Sequence, residues 1–155
     1  MLMTQVRITE LTTCSGVILY SPLKDEVDPL LFPQLRAIHN RIVLPCDAEA
    51  NVTEWVDTCN TFGNGKNVCV CVPGTAFDAT GTRHGRGGGW YDKFLSQIPK
   101  EWIRVGIATP TSFMCDTKLT RQSWDEPVDY VLVYSIFTGS WSVYKVSSKR
   151  PGICK

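Results

Sequence analysis

Short apolar runs alternate along this chain with stretches whose apolar residues recur at helical spacing, a pattern that predicts strands joined by crossover helices. The first run, Val17-Ile18-Leu19-Tyr20, is β-branched and aromatic and is closed by Ser21-Pro22. Asp28-Pro29 then supplies an N-cap and a first-turn proline. Leu31, Leu35 and Ile38 follow at i, i+4 and i+7, which predicts a helix with one apolar face. Pro33 lacks an amide donor, so the regular part of that helix is expected from Pro33 onward.

Arg41-Ile42-Val43-Leu44 reads as a second strand, stopped by Pro45. Residues Ala50 to Asn60 predict a short helix with Val52, Trp55, Val56 and Cys59 on one face, and Thr61-Phe62-Gly63-Asn64-Gly65 predicts a turn. Val68-Cys69-Val70-Cys71-Val72 is apolar on both faces, as at the centre of a parallel sheet. Further on, Tyr91, Leu95 and Ile98 mark a helix that Pro99 ends. Val105 to Ala108 and Val128 to Val133 predict two more buried strands, and Trp141-Ser142-Val143-Tyr144 alternates as an edge strand does. These elements predict an α/β chain: three layers, a largely parallel sheet with helices on both faces, Rossmann-like, forming a single domain over 1–155. The pattern leaves strand order open.

Composition narrows the partners. At 43% hydrophobic and 20% charged the chain is neither disordered nor fibrous, and its net charge is only +1. Broad nucleic-acid binding calls for more positive charge, so any polyanion handled here is small and met at a local basic cluster. The seven cysteines (Cys14, Cys46, Cys59, Cys69, Cys71, Cys115 and Cys154) form no CxxC pair, and His39 and His84 lie far from metal-ligand spacing. Reduced core thiols of an intracellular protein are expected, against a disulfide framework or a zinc site. No apolar run reaches membrane-spanning length. The start, MLMTQVRITELTTCSG, lacks the build of a secretory signal and makes a poor mitochondrial presequence.

The candidate chemistry sits where the best strand ends. Pro73-Gly74-Thr75-Ala76-Phe77-Asp78 is followed by Gly81-Thr82-Arg83-His84-Gly85-Arg86-Gly87-Gly88-Gly89-Trp90-Tyr91-Asp92. Ligands of open α/β sheets bind at the carboxyl ends of the strands. Glycines let backbone amides approach an anion, the start of the next helix adds unsatisfied amides, and Arg83 and Arg86 carry forked donors suited to phosphate oxygens. No Gly-Lys-Ser/Thr of a P-loop occurs, and Trp90 stands where GxGxxG needs its last glycine. A phosphate cradle is the expectation, a structural turn or a basic RNA-contacting element the alternatives.

From Pro73 through Leu95 the stretch resembles the signature of the 5-formyltetrahydrofolate cyclo-ligase (methenyltetrahydrofolate synthetase) family: a strand ending P-G-x-A-F-D, a G-x-R turn, then G-R-G-x-G-Y-Y-D, with Trp90 standing for one aromatic. Tyr20-Ser21-Pro22-Leu23-Lys24-Asp25-Glu26-Val27 is similar to the family's early strand and D-E-[IV] turn, and Asp125-Glu126-Pro127-Val128-Asp129-Tyr130-Val131 to its D-x-x-V-D strand. The resemblance covers about Val17 to Val133 and implies the cyclo-ligase type of α/β fold. It also implies conversion of 5-formyltetrahydrofolate and ATP, with Mg²⁺, to 5,10-methenyltetrahydrofolate, ADP and phosphate: phosphoryl transfer makes the formyl oxygen a leaving group and N10 closes the ring.

By position, the resemblance implies that Arg83, Gly85, Arg86, Gly87, Gly88, Gly89, Trp90 and Tyr91 surround ATP, with Arg86 and Tyr91 catalytic. It places Glu26 on the folate and Asp92 and Asp125 on magnesium. Each acid has a plainer alternative: Asp92 as a first-turn acid complementing the helix dipole, Asp125 as a turn residue, Glu26 as a solvated turn charge. Asp78 and Phe77 are expected to shape the turn, and His84 replaces an apolar family residue without an assigned role. The chain departs from the family in lacking the usual basic helix ahead of the first strand and in filling the middle with only Cys46 to Asn67. Trp124 and Tyr134 stand where smaller or polar residues are usual. These departures leave an alternative, a non-catalytic cyclo-ligase-like subunit serving as a binding or scaffold component of a larger assembly. The location expected is cytoplasmic, with mitochondrial as the alternative; no membrane partner is expected, nucleic acid is expected only as part of a larger assembly, and oligomeric state is left open.

Overall fold

The computed structural model describes residues 7–46 and 49–146. Cys154 and the first six residues of the N-terminal stretch lie outside them. In chain order the elements are β1 (Gly16–Tyr20), α1 (Pro33–Arg36), β2 (Arg41–Leu44), α2 (Val52–Phe62), β3 (Val68–Val72), β4 (Ala76–Asp78), β5 (Arg83–His84), α3 (Trp90–Ser96), β6 (Ile103–Ala108), β7 (Phe113–Met114), β8 (Tyr130–Ser135) and β9 (Ser140–Lys145). Two 3-10 turns, Thr9–Thr13 and Pro29–Leu31, complete the set.

Six strands make one sheet in the order β2-β1-β3-β6-β8-β9. All neighbours are parallel except β8 and β9, which pair as an antiparallel hairpin. β3 lies inside the sheet and is buried at every residue, as its unbroken apolar run requires. Successive side chains of a strand point to opposite faces, and the two cores divide accordingly. Ile18, Val68, Val70 and Val72 pack with α2 and α3 residues such as Val56, Cys59, Phe94 and Leu95. Val17, Leu19, Cys69, Cys71 and Ile107 pack on the other side with Ile8, Leu11, Phe32 and Leu35. Each fully buried aliphatic contributes about 1.5–3 kcal/mol. The expected three layers are present, although one face is covered by 3-10 turns and the four-residue α1 rather than by a long helix.

That last point corrects one expectation. Asp28 does cap, its carboxylate accepting from the Leu30 amide at 2.9 Å. The cap opens a single 3-10 turn, however, and Pro33 starts a separate turn of helix. Leu35 and Ile38 are buried as the spacing predicts, but Leu31 is 45% exposed, because the break at Pro33 rotates it off the shared face. α2 begins after its Asn51 cap, whose side chain accepts from the Glu54 amide, and runs to Phe62, two residues past the predicted end and into the predicted turn. β8 starts at Tyr130 rather than Val128, because the Val128 amide is spent on the Gly81 carbonyl. A small second sheet, β5-β4-β7, was not legible in the apolar pattern, since its strands have only two or three residues.

Candidate active site

From β1 the chain moves to β2 on one side and then crosses to β3 on the other, so strand order reverses between the carboxyl ends of β1 and β3. Such a switch point leaves a crevice. Here it opens into a cavity of about 620 Å³, walled by Tyr20 and Ser21 after β1, by Pro73, Gly74 and Thr75 after β3, and by the glycine-rich segment.

Arg83 forms the floor. It leaves the short strand β5 almost fully buried, and its Nε donates to the Pro73 carbonyl at 2.6 Å. Nη1 lies 3.9 Å from Asp92 Oδ1, and the guanidinium sits 5.2 Å from the centre of the Tyr91 ring. Burial pulls its pKa below the ordinary value while Asp92 pulls it back; an arginine so placed still carries its charge. Gly85 makes this packing possible, because a Cβ there would fall 2.5 Å from Arg83 Nη2.

Arg86 stands at the mouth. Its Nη2 donates to Asp25 Oδ1 at 2.7 Å and lies 3.7 Å from Glu26 Oε2, so the glycine-rich segment is clasped to the turn after β1. The Arg86 hydrogen bond holds the Asp25 carboxyl below the usual carboxylate range. Glu26 is mostly buried and also accepts from the Leu23 amide at 2.9 Å. Its plainer alternative, a solvated turn charge, does not describe this placement.

Between Arg86 and α3 the backbone is bare. A Cβ at Gly87, Gly88 or Gly89 would meet nothing within 4 Å, and among the described residues the amides of Gly87 to Trp90 find no acceptor in the protein. Gly89 caps α3 at φ 68°, a left-handed conformation that glycine adopts without strain. Trp90 turns inward instead: its Nε1 donates to the Ala50 carbonyl at 2.9 Å and its ring stacks on Phe94. Tyr91 is partly buried, its hydroxyl makes no hydrogen bond to the described residues, and burial raises its pKa, so it remains a phenol.

The two acids assigned to magnesium face the same cavity. Asp92 Oδ1 accepts from the Glu126 amide at 3.0 Å and Asp125 Oδ2 from the Gln122 amide at 2.8 Å. Burial lifts the Asp92 carboxyl above the usual range, the Glu126 amide and Arg83 opposing it. Among the described residues no group of three or more His, Cys, Asp or Glu side chains could by itself hold a metal. Asp92 Oδ2 and Asp125 Oδ1 nevertheless carry no hydrogen bond. Two free carboxylate oxygens facing one cavity are of the ligand type Mg²⁺ takes, since it keeps several waters and needs only one or two carboxylates from a protein.

All residues assigned from the sequence therefore line one cavity. Sequence reasoning did not assign Leu23, Pro45, Cys46, Thr120, Gln122 or Trp124, which complete its rim. Trp124 was noted only as a departure, yet it is 66% exposed at this mouth; an unexplained aromatic beside a candidate acid was the available signal. His84 ties the loop to the opposite rim through Nε2, 2.8 Å from the Thr120 carbonyl. Cys14, Cys46, Cys59, Cys69, Cys71 and Cys115 are all free thiols, and burial pushes those of Cys14 and Cys59 up to about 12. Among the described residues no helix is long and apolar enough to cross a membrane.

Fold and site together define an open α/β protein with a glycine–arginine cradle at its switch point. The sequence model described as the 5-formyltetrahydrofolate cyclo-ligase family matches residues 60–134. A 5-formyltetrahydrofolate cyclo-ligase of Mycoplasma genitalium is 29% identical over 125 residues, 77% of this chain and 73% of that protein. Its namesake in Mycoplasma pneumoniae is 25% identical over 75% of this chain and 71% of its own. The fold is that of the 5,10-methenyltetrahydrofolate synthetase of Aquifex aeolicus, with TM-score 0.59, 24% identity, and coverage of 92% of this chain and 77% of that one. Over these residues the chain is similar to the 5-formyltetrahydrofolate cyclo-ligase family, and the relatives it matches are named as enzymes.

Proposed function

We propose that this chain, as a single unit over residues 1–155, converts 5-formyltetrahydrofolate to 5,10-methenyltetrahydrofolate at the expense of ATP. Its similarity to the family and the names of its relatives support the reaction. The observation that carries the assignment of parts is the convergence of Arg83, Arg86, the bare Gly87–Gly89 backbone, Glu26, Asp92 and Asp125 on one cavity. The scaffold alternative requires no such convergence.

In the proposed reaction the formyl oxygen bonds to the γ-phosphorus as the bond to ADP breaks. N10 then attacks the formyl carbon, the carbon–oxygen bond breaks, phosphate departs with the electron pair, and N10 releases its proton. The protein aligns the reactants and neutralises charge. Arg83 and Arg86 face the phosphates with the open amides, and the unpartnered Tyr91 hydroxyl donates to a phosphate oxygen. Glu26 takes ring N–H donors of the folate. Asp92 and Asp125 would hold magnesium, which when bound neutralises phosphate oxygens. Trp90 supports the cradle from behind through Ala50. A cytoplasmic location belongs to the same proposal.

Calorimetric titration with Mg-ATP, followed by 5-formyltetrahydrofolate and turnover read from methenyl absorbance, tests it. Wild type should bind ATP and turn over, and Arg86→Ala should bind ATP about ten- to hundredfold more weakly, as expected when a charged hydrogen-bond donor is lost. ATP binding without turnover would return the scaffold reading. No ATP binding at all would remove the nucleotide assignment.

A further inference from the structure

Arg86 is the assigned phosphate ligand, yet its guanidinium is already engaged by two carboxylates of the turn after β1. The contact to Asp25 is the short one, at 2.7 Å. Both partners are open to water, with Arg86 48% and Asp25 69% exposed at the side chain. Space lies on two sides of the bridge: the main cavity, and a chamber of about 260 Å³ whose lining includes Thr109, Thr111 and Ser112. Arg86, Glu26, Gly74 and Thr75 border both, so the guanidinium has room to swing.

We propose that Asp25 is an internal stand-in for the nucleotide's phosphate, holding Arg86 in the free protein and yielding it when the phosphates arrive. The proposal rests on the nucleotide reading above. An exposed ion pair is weak and screened, whereas a polyphosphate offers several anionic oxygens in fork geometry. The phosphates therefore win the exchange, and the bridge acts as a competitor that lowers apparent affinity by the fraction of time Arg86 is held. Asp25 thus acts through Arg86, as a positioning residue that sets nucleotide affinity. Glu26 does not substitute for it, because its Oε1 is committed to the Leu23 amide and its Oε2 lies 3.7 Å away.

The competitor role carries an unusual sign: removing a contact should tighten binding. Asp25→Asn should lower the calorimetric Kd for Mg-ATP about two- to sixfold, the range expected for an exposed pair, while Asp25→Glu should stay near wild type. In an Arg86→Ala background Asp25→Asn should change nothing, since the competition needs both partners. Weaker or unchanged binding in Asp25→Asn overturns the proposal, as it would mean that Arg86 needs Asp25 to meet the phosphates. The same tightening with and without Arg86 overturns it too, in favour of plain long-range charge. Failure of wild type to bind Mg-ATP is a different result: it sinks the nucleotide reading and this proposal with it.

Discussion

A single carboxylate, Asp78, organises the turn that delivers Arg83. Its Oδ1 accepts from the Thr80 amide, the Thr80 hydroxyl and the Thr82 amide, and its Oδ2 from the Leu119 amide at 2.7 Å. Asp78 is 1% exposed, and burial alone would raise its pKa. The four bonds outweigh burial, and the net shift is below the ordinary 3.8. A depressed folded pKa means stability that is complete above the unfolded value and is lost as pH falls through the folded one. Asp78→Asn would set an amide donor against an N–H, so it should cost about 1–3 kcal/mol at neutral pH. Because protonation removes the same advantage from wild type, the gap in Tm between the two should narrow below pH 3.8. A gap that stays constant in thermal scans down to pH 3 would contradict this account.

At the scale of elements, the two sheets meet at a glycine as well as where the ring of Phe113 on β7 lies 4.3 Å from that of Tyr144 on β9. A Cβ on Gly106 of β6 would lie well inside contact distance of the buried Phe77 ring on β4. Gly106→Ala should therefore destabilise by about 1–3 kcal/mol through overpacking, read as a lower urea midpoint with unchanged slope. An unchanged midpoint would show that the sheets can part. This junction also marks where the sequence stopped being legible. β1, β2, β3, β6 and β9 followed from apolar runs because each has four or more residues and a definite burial pattern. β4, β5 and β7 are set by partners distant in sequence, as Phe77 pairing with Phe113 illustrates, and no local pattern announces them. The same holds for the site. Spacing and motif reached Arg83, Arg86 and the acids, while Leu23 and Trp124 joined only when the turn after β1 and the segment ahead of β8 came together around the cavity.

For the whole molecule, the cavity is built from segments spread over more than a hundred residues, from Tyr20 to Asp125. A ligand that bridges them stabilises the native state by about 2.7 kcal/mol at a hundred times its Kd. For a chain of this size that amounts to a rise in Tm of roughly 5–10 °C with saturating Mg-ATP. Scanning fluorimetry should show it in wild type and show much less of it in Arg86→Ala at the same concentration; equal shifts would place the nucleotide elsewhere. The walls of this cavity are not held alike. Behind Asp125, Glu126 is fastened three ways: its amide to Asp92, its carboxylate to the fully buried Arg104 at 2.9 Å and to Lys100 at 3.2 Å, while Arg104 in turn grips the Leu95 carbonyl. Opposite it, the turn after β1 is joined to the loop by a single wet clasp. One jamb is riveted and the other is on a hook, so of the two walls the hooked one is the easier to displace.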